Sequence, residues 1–264
     1  MPTTTPVLPA ADVWSAPMPE TMSDRVEFFR ENGFLLLRNL LDAAEVAALK
    51  AETDRVAREW ESITPVREGF GMEPTQDQKR VTPTFRKIGG INAYSDTFAA
   101  VLKHPVILDH LHPIIGETIL LWRDVVMMKP ARVGREKPWH QDSSYWPWDP
   151  MRLVSAMIAL DDATPENGCL QIIPGTHKKP VQHYGDELQI DLDEQMQART
   201  LYVPLEAGDC LLFHSLLLHA SEPNRSEHDR RVLINSYMPD DLEFIGKGEP
   251  KRDQPVVSVR PGAA

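Results

Sequence analysis

Apolar positions along the chain change their spacing near residue 118. Before it they recur at helical intervals, and beyond it they gather in short runs cut by Gly/Pro turns. From Ser23 to Asn32, Val26, Phe28 and Phe29 mark a short helix that Ser23 would cap and Gly33 would stop. Phe34-Leu-Leu-Leu-Arg38 then reads as a strand. Asp42 with Glu45 three residues on has the pattern of a capping box, and it opens a longer helix carrying Val46, Leu49, Val56 and Trp60 on one stripe. Two short helices fill Ser95 to Gly116, with Ser95 capping the first and Pro105 opening the second. Their histidines, His104, His110 and His112, have no carboxylate at ligand spacing and read as surface or helix-end residues.

The second half reads as strands over Ile119–Met128, Leu153–Leu160, Cys169–Ile173, Leu201–Val203, Cys210–Phe213, Leu216–His219 and Val232–Met238. Many short strands behind a helical first half predict a mainly β protein with flanking helices (α+β). The expected core is a double-stranded β-helix, or jelly roll, of cupin-like shape over about 118–240, with the N-terminal helices packed outside. Residues 1–20, rich in Pro and Thr, read as a flexible or loosely docked arm, and 21–264 as a single domain. Thr64 to Thr84 and residues 240–264 are polar or irregular enough to serve as lids.

Composition narrows the partners. At 42% hydrophobic the chain can bury a full core, yet it has no run near the roughly 18 apolar residues of a membrane span. Its start, Met1-Pro-Thr-Thr-Thr-Pro, lacks the features of a signal peptide, and its end, Pro261-Gly-Ala-Ala, matches no retention or peroxisomal address. Cys169 and Cys210 are too few for a disulfide scaffold and read as buried thiols in a reducing cytoplasm. A net charge of −11 argues against nucleic acid and anionic membranes, leaving a small molecule as the expected partner.

Candidate chemistry centres on Pro138-Trp139-His140-Gln141-Asp142. Period-two alternation puts His140 and Asp142 on one face of a strand end, so imidazole and carboxylate aim at one point, while Gln141 points away. A second histidine would complete a two-His-one-carboxylate triad, the ligand set of non-haem iron oxygenases. His214 and His219 both stand in Phe213-His214-Ser-Leu-Leu-Leu-His219. His219 ends the apolar run at polar turn residues and is the preferred ligand, with His214 structural. Arg230 opens an apolar strand, where a guanidinium needs an anionic partner. Arg231 should face the other way, into solvent. Trp139, Tyr145, Trp146 and Trp148 crowd the metal motif and could line a pocket or simply pack beneath the loops.

These residues carry a family resemblance. His140-Gln-Asp142, Glu166-Asn-Gly-Cys-Leu170, Ile173-Pro-Gly-Thr-His-Lys178, Ala207-Gly-Asp209, His219-Ala-Ser221, Asn224 and Arg230 follow in an order that resembles the phytanoyl-CoA dioxygenase family of iron(II)- and 2-oxoglutarate-dependent oxygenases. The likeness extends from about Phe28 to Tyr237. It implies His140, Asp142 and His219 as ligands of iron(II), Arg230 and Ser221 on the distal carboxylate of 2-oxoglutarate, and Lys87 as another cosubstrate contact. With O2 as second cosubstrate, the implied reaction hydroxylates a C–H bond of a small, largely apolar metabolite and forms succinate and CO2. Halogenating relatives replace the carboxylate ligand, whereas Asp142 is intact. Met157 and Ile158 stand where the human-type enzymes tend to carry a tryptophan, a departure that bears on the shape of the cosubstrate pocket. The competing readings are a non-catalytic jelly-roll protein binding metal or ligand, a cupin-like enzyme without an oxo acid, and an acyl-CoA hydroxylase using Arg132, Arg135 and Lys137 for phosphates.

Overall fold

The structure is a computed structural model describing residues 12–60, 62, 70–74, 84–181, 183, 185 and 188–246. Two β-sheets face each other, and helices of the N-terminal half cover the outer face of the larger one. The larger sheet has seven strands in the order β2 (Phe34–Leu37), β11 (Cys210–His214), β8 (Val154–Ala159), β13 (Arg230–Pro239), β5 (Ile119–Lys129), β4 (Phe85–Gly89) and β3 (Phe70–Met72). The smaller has five: β1 (Asp12–Val13), β10 (Leu201–Val203), β9 (Leu170–Ile172), β12 (His219–Ser221) and β6 (Lys137–His140). Among the described residues the sheets share no strand, so the jelly roll is an open sandwich and not a closed barrel. A small ribbon pairs β7 (Trp148–Asp149) with β14 (Glu243–Phe244).

Helix ends follow local chemistry. In α1 (Met22–Asn32) the cap is Thr21, not the expected Ser23: the Thr21 hydroxyl accepts from the Asp24 N–H, whereas Ser23 already lies inside the first turn. Gly33 closes α1 at φ 80°, a left-handed conformation that a glycine adopts without strain. The capping box of Asp42 and Glu45 opens α2 (Ala43–Glu59) as the sequence predicts. Ser95 precedes α3 (Asp96–Val101) without a side-chain cap bond, and Pro105 starts α4 (Pro105–Ile115).

The inner strands of the larger sheet are buried on both faces, which is why they read as unbroken apolar runs. Leu35, Leu37, Ala156, Ile158, Cys210, Leu212 and Leu233 meet the helices. Their neighbours Phe34, Leu36, Met157, Ala159, Leu211, Phe213 and Val232 meet the smaller sheet. Both cysteines are buried and unbridged. The strand expected at Leu216–His219 begins only at His219, because Leu217 N–H turns back onto His214 C=O and ends β11 in a tight turn.

Of the arm expected over 1–20, residues 1–11 lie outside the described residues. Asp12–Val13 pair in parallel with β10, Trp14 meets Phe28 and Phe34 edge-on, and Met18 accepts from Leu36 N–H through sulfur. Most of the expected lid at 64–84 and all of 247–264 also lie outside the described residues. No described helix is long and apolar enough to cross a membrane.

Candidate metal centre

Antiparallel pairing of β12 with β6 sets His219 directly opposite His140, the last residue of β6. Asp142 is not on the strand itself. It opens the 3₁₀ turn Asp142–Tyr145 just beyond, which swings its carboxylate back toward both rings. One Asp142 oxygen lies 3.6 Å from His140 Nε2 and 3.7 Å from His219 Nε2, and the three donor atoms fall within 4.8 Å of one another. Each imidazole is oriented from behind: His140 Nδ1 lies 2.8 Å from Pro138 C=O and His219 Nδ1 2.9 Å from Leu217 C=O. Donation by Nδ1–H to a carbonyl leaves Nε2 as the bare lone pair facing its partners, the arrangement metal-ligating histidines use.

Charge supports the same state. Burial, then the neighbouring His140, pulls His219 down to about 4, so it is neutral near pH 7. Burial pushes the Asp142 carboxyl up, but His219 and His140 outweigh it and hold the group below the ordinary carboxylate range. Two imidazoles with Nε2 turned inward and one carboxylate on one side of a point fit iron(II) with room for further ligands.

Gln141 is fully buried and not a surface residue. Its amide donates to Leu216 C=O and Lys179 C=O and accepts from Val181 N–H, clamping the ends of two loops behind the ligands. Ser143 donates to Ser215, tying the Asp142 turn to the same loop. His214 lies away from the triad: its ring faces His177 at 5.3 Å and its Nδ1 accepts from Leu216 N–H.

The inner face of the larger sheet forms the opposite wall. Cross-strand register stacks it in rows: Lys129 with Arg230, then Met127 with Val232 and Ala159, then Val125 with Ile234 and Met157, then Arg123 with Ser236 and Ser155. Lys87, opposite Met127, brings its side chain to the second row. Arg230 is buried. One guanidinium nitrogen donates to Gly168 C=O at 2.7 Å, its Nε has no partner, and no described carboxylate pairs with it. Burial draws its pKa down to about 10, so it remains charged.

Beside it, Lys129 is buried at the end of β5 and donates to the carbonyls of Arg135, Ser221 and Glu222. Burial, then Arg230 and Arg86, push Lys129 down to about 6, yet three carbonyl acceptors favour an ammonium, since a neutral amine has two hydrogens to give. Lys87 is half-buried, its pKa lowered by burial and then by Arg123 and Arg86. Ser221 lies two residues beyond His219 on β12, and its own carbonyl receives Lys129.

The other sequence candidates divide. Arg231, expected in solvent, is half-buried and grips Asp161 through Nε and a terminal nitrogen, with Asp54 alongside. Trp146 and Trp148 pack with Leu153 and Met238 in a cluster of their own, and Trp139 packs against Ile173, Ile190 and Leu218. Only Tyr145 of the four aromatics has a ring against a triad histidine, 5.9 Å from His140, and its hydroxyl accepts from Lys137. Arg132 is ion-paired with Glu227. Arg123 escapes the sequence reading altogether. Counting alternate positions back along β5 from Lys129 is the signal that finds it.

Comparison with known proteins fits this geometry. Phytanoyl-CoA dioxygenase, peroxisomal, of Bos taurus is 25% identical over 251 residues, covering 88% of this chain and 74% of the relative. Ectoine dioxygenase of Bordetella bronchiseptica is 27% identical, covering 81% of this chain and 74% of the relative. Among solved structures, the non-heme monooxygenase ThoJ in its apo form superposes with a TM-score of 0.73 at 25% identity, covering 90% of this chain and 84% of that one. EctD from S. alaskensis with 2-oxoglutarate and 5-hydroxyectoine gives 0.73 at 24% identity, covering 90% and 85%, and at that identity attests the shared fold. Residues 29–232 match the family profile of phytanoyl-CoA dioxygenase (PhyH), and the chain belongs to that family.

Proposed function

We propose that this protein is an iron(II)- and 2-oxoglutarate-dependent dioxygenase that hydroxylates a C–H bond of a small metabolite. The carrying observation is the convergence of His140, Asp142 and His219, both imidazoles fixed from behind, across from the buried Arg230 with its unpartnered Nε. His140, Asp142 and His219 hold the iron. Arg230 takes the distal carboxylate of 2-oxoglutarate by charge-assisted hydrogen bonds, with Ser221 beside it on β12 and Lys87 as a further cosubstrate contact. Iron(II) with 2-oxoglutarate and O2 supplies the C–H oxidation, releasing succinate and CO2. The chain's own part is to position and to exclude water: Gln141 and Ser143 fix the ligand loops, and Phe213 closes the space against His219 at 5.1 Å. Because Asp142 keeps its carboxylate on the metal, hydroxylation is the expected outcome.

Arg132 is engaged by Glu227 and Lys137 by Tyr145, which favours a free metabolite over an acyl-CoA with phosphates to bind. Two unbridged cysteines suit a reducing compartment, and the cytoplasmic reading rests on them.

The test is anaerobic reconstitution with iron(II) and 2-oxoglutarate, followed by oxygen. The expected result is a visible metal-to-ligand charge-transfer band, then succinate. In Asp142→Ala both should vanish while the fold, read by circular dichroism, persists. A band and succinate at wild-type levels in that variant would reject the ligand assignment.

A further inference from the structure

The inner wall carries more positive charge than iron and cosubstrate need. With iron(II) and 2-oxoglutarate in place, three positive charges from the metal and Arg230 meet three negative ones from Asp142 and the two cosubstrate carboxylates. Lys129 is held by three backbone carbonyls, which leaves Lys87 and Arg123 over. Neither has a hydrogen bond or ion pair to a described residue, and both face the inter-sheet space by register, opposite Met127 and Ser236 respectively. Unmatched cations on a wall of this kind are costly unless an anion meets them.

Position separates the two. Lys87 belongs to the row next to Arg230. Arg123 lies six residues along β5 from Lys129, the cross-strand partner of Arg230, which at strand rise is roughly 20 Å. A five-carbon diacid anchored at Arg230 does not span that length. Arg123 stands instead at the other end of the inner wall from Arg230: its row continues through Ser236 and Ser155 to Phe213, whose ring lies 5.1 Å from that of His219. Its charge is also felt at Asp142. Between Arg123 and Phe213 the row is polar, since Ser155 and Ser236 are buried and share a hydrogen bond at 2.9 Å. The irregularity between Ser236 and Tyr237 leaves Trp122 as the unmatched residue of β5, and Trp122 meets Trp148 edge-on in the separate aromatic cluster while Arg123 keeps its inward face.

We infer that Arg123 is the substrate-recognition residue of this site and that the substrate carries a carboxylate, held by Arg123 so that a neighbouring C–H bond is presented to the metal. This rests on the proposed dioxygenase reading and deepens it. The largely apolar metabolite expected from the sequence thus acquires one anionic end, while the apolar row of Val125, Ile234 and Met157 faces its hydrocarbon part.

The experiment titrates the anaerobic enzyme, saturated with iron(II) and 2-oxoglutarate, with butyrate and benzoate and with the matching neutral amides, butyramide and benzamide, by calorimetry. At least one carboxylate should bind, with its amide about tenfold weaker or more. Arg123→Gln should weaken the carboxylate by about tenfold or more, and Arg123→Lys should restore part of the loss. The charge-transfer band and the 2-oxoglutarate affinity should be the same in all three proteins, as should their melting temperatures within a few degrees. If no carboxylate binds, if the amides bind equally well, or if Arg123→Gln changes nothing, the inference is overturned while the dioxygenase reading stands. Loss of 2-oxoglutarate binding in Arg123→Gln also overturns it, by assigning Arg123 to the cosubstrate. Absence of the band in the wild-type protein removes the dioxygenase reading and this inference with it.

Discussion

The two faces of the seven-stranded sheet are built from the same strands and obey opposite rules. On the outer face, Leu233, Ile158, Leu212 and Leu35 meet Leu49, Ile107 and Leu111 from the helices in one apolar cluster. On the inner face the same strands present Arg230, Lys129 and Arg123, a pair of hydrogen-bonded serines, and apolar rows between them. The outer face is what hydrophobic burial alone would choose. The inner face holds charges that destabilise the free protein, and groups of that kind persist where a ligand supplies their partner. One residue of offset along a strand therefore separates stability from function, and substitutions on the two faces should fail in different ways.

The largest expected effect belongs to the outer face. Leu233 is 1% exposed and sits mid-strand against the helices. Leu233→Ala deletes buried methyl groups and leaves a cavity, so it should destabilise the protein by about 2–5 kcal/mol. Urea unfolding measures this. Iron and 2-oxoglutarate affinities of the protein that remains folded should match the wild type, and a large change in either would blur the division between the faces.

Three residues away in sequence, Arg230→Met should do the reverse. Removing a charge-assisted contact to a buried carboxylate weakens 2-oxoglutarate by about 100-fold, or about 3 kcal/mol. Without cosubstrate the variant should unfold at the same or higher denaturant concentration than the wild type, because it no longer buries an unpaired guanidinium. Paired titrations of cosubstrate and denaturant read both quantities. Marked destabilisation of the cosubstrate-free variant would mean that Arg230 is structural and that the faces differ less than their chemistry suggests.

How much of this was legible depends on whether local spacing or tertiary geometry decides. The convergence of His140, Asp142 and His219 could be read because the first two are two residues apart and His219 ends an apolar run at a turn, all local features. Arg230 could be read because a cation opening an apolar strand is conspicuous. The capping box of Asp42 and Glu45 is equally local. By contrast, alternation says only that Gln141 points away from the metal, and the return of the loops at Lys179, Val181 and Leu216 is what shows it buried and hydrogen-bonded behind the ligands. For Trp146 and Trp148 the sequence left pocket lining and packing beneath the loops open, and the ribbon of β7 and β14 decides for packing by drawing them into a separate cluster with Phe244. Arg123 was missed for a different reason: plain alternation back from Lys129 puts it on the inner face, but only the cross-strand pairing shows that this face looks across the inter-sheet space at the triad.

The smallest effect sharpens the contrast between the two histidines that compete for the ligand role. By alternation from Cys210 and Leu212, His214 lies on the outer side, under the end of α1, where its N–H donates to Gly33 C=O. Its Nδ1 accepts from Leu216 N–H, which requires that nitrogen to be unprotonated. Burial, then the nearby His177, lowers its pKa to about 3. The unfolded chain, with a histidine near 6.5, takes up its proton first as pH falls, so folding stability is lost progressively from about pH 6.5 down to about 3. By pH 5 the loss from this residue is at most about 2 kcal/mol. In His214→Asn the amide oxygen can still accept from Leu216 N–H, but nothing titrates at that position. The wild type should therefore lose up to that much more stability than the variant between pH 7 and pH 5, measured by denaturant unfolding at each pH. Iron content at pH 7 should be equal in the two proteins. Loss of iron from His214→Asn would transfer the ligand role from His219 and undo the separation of faces at its most sensitive point.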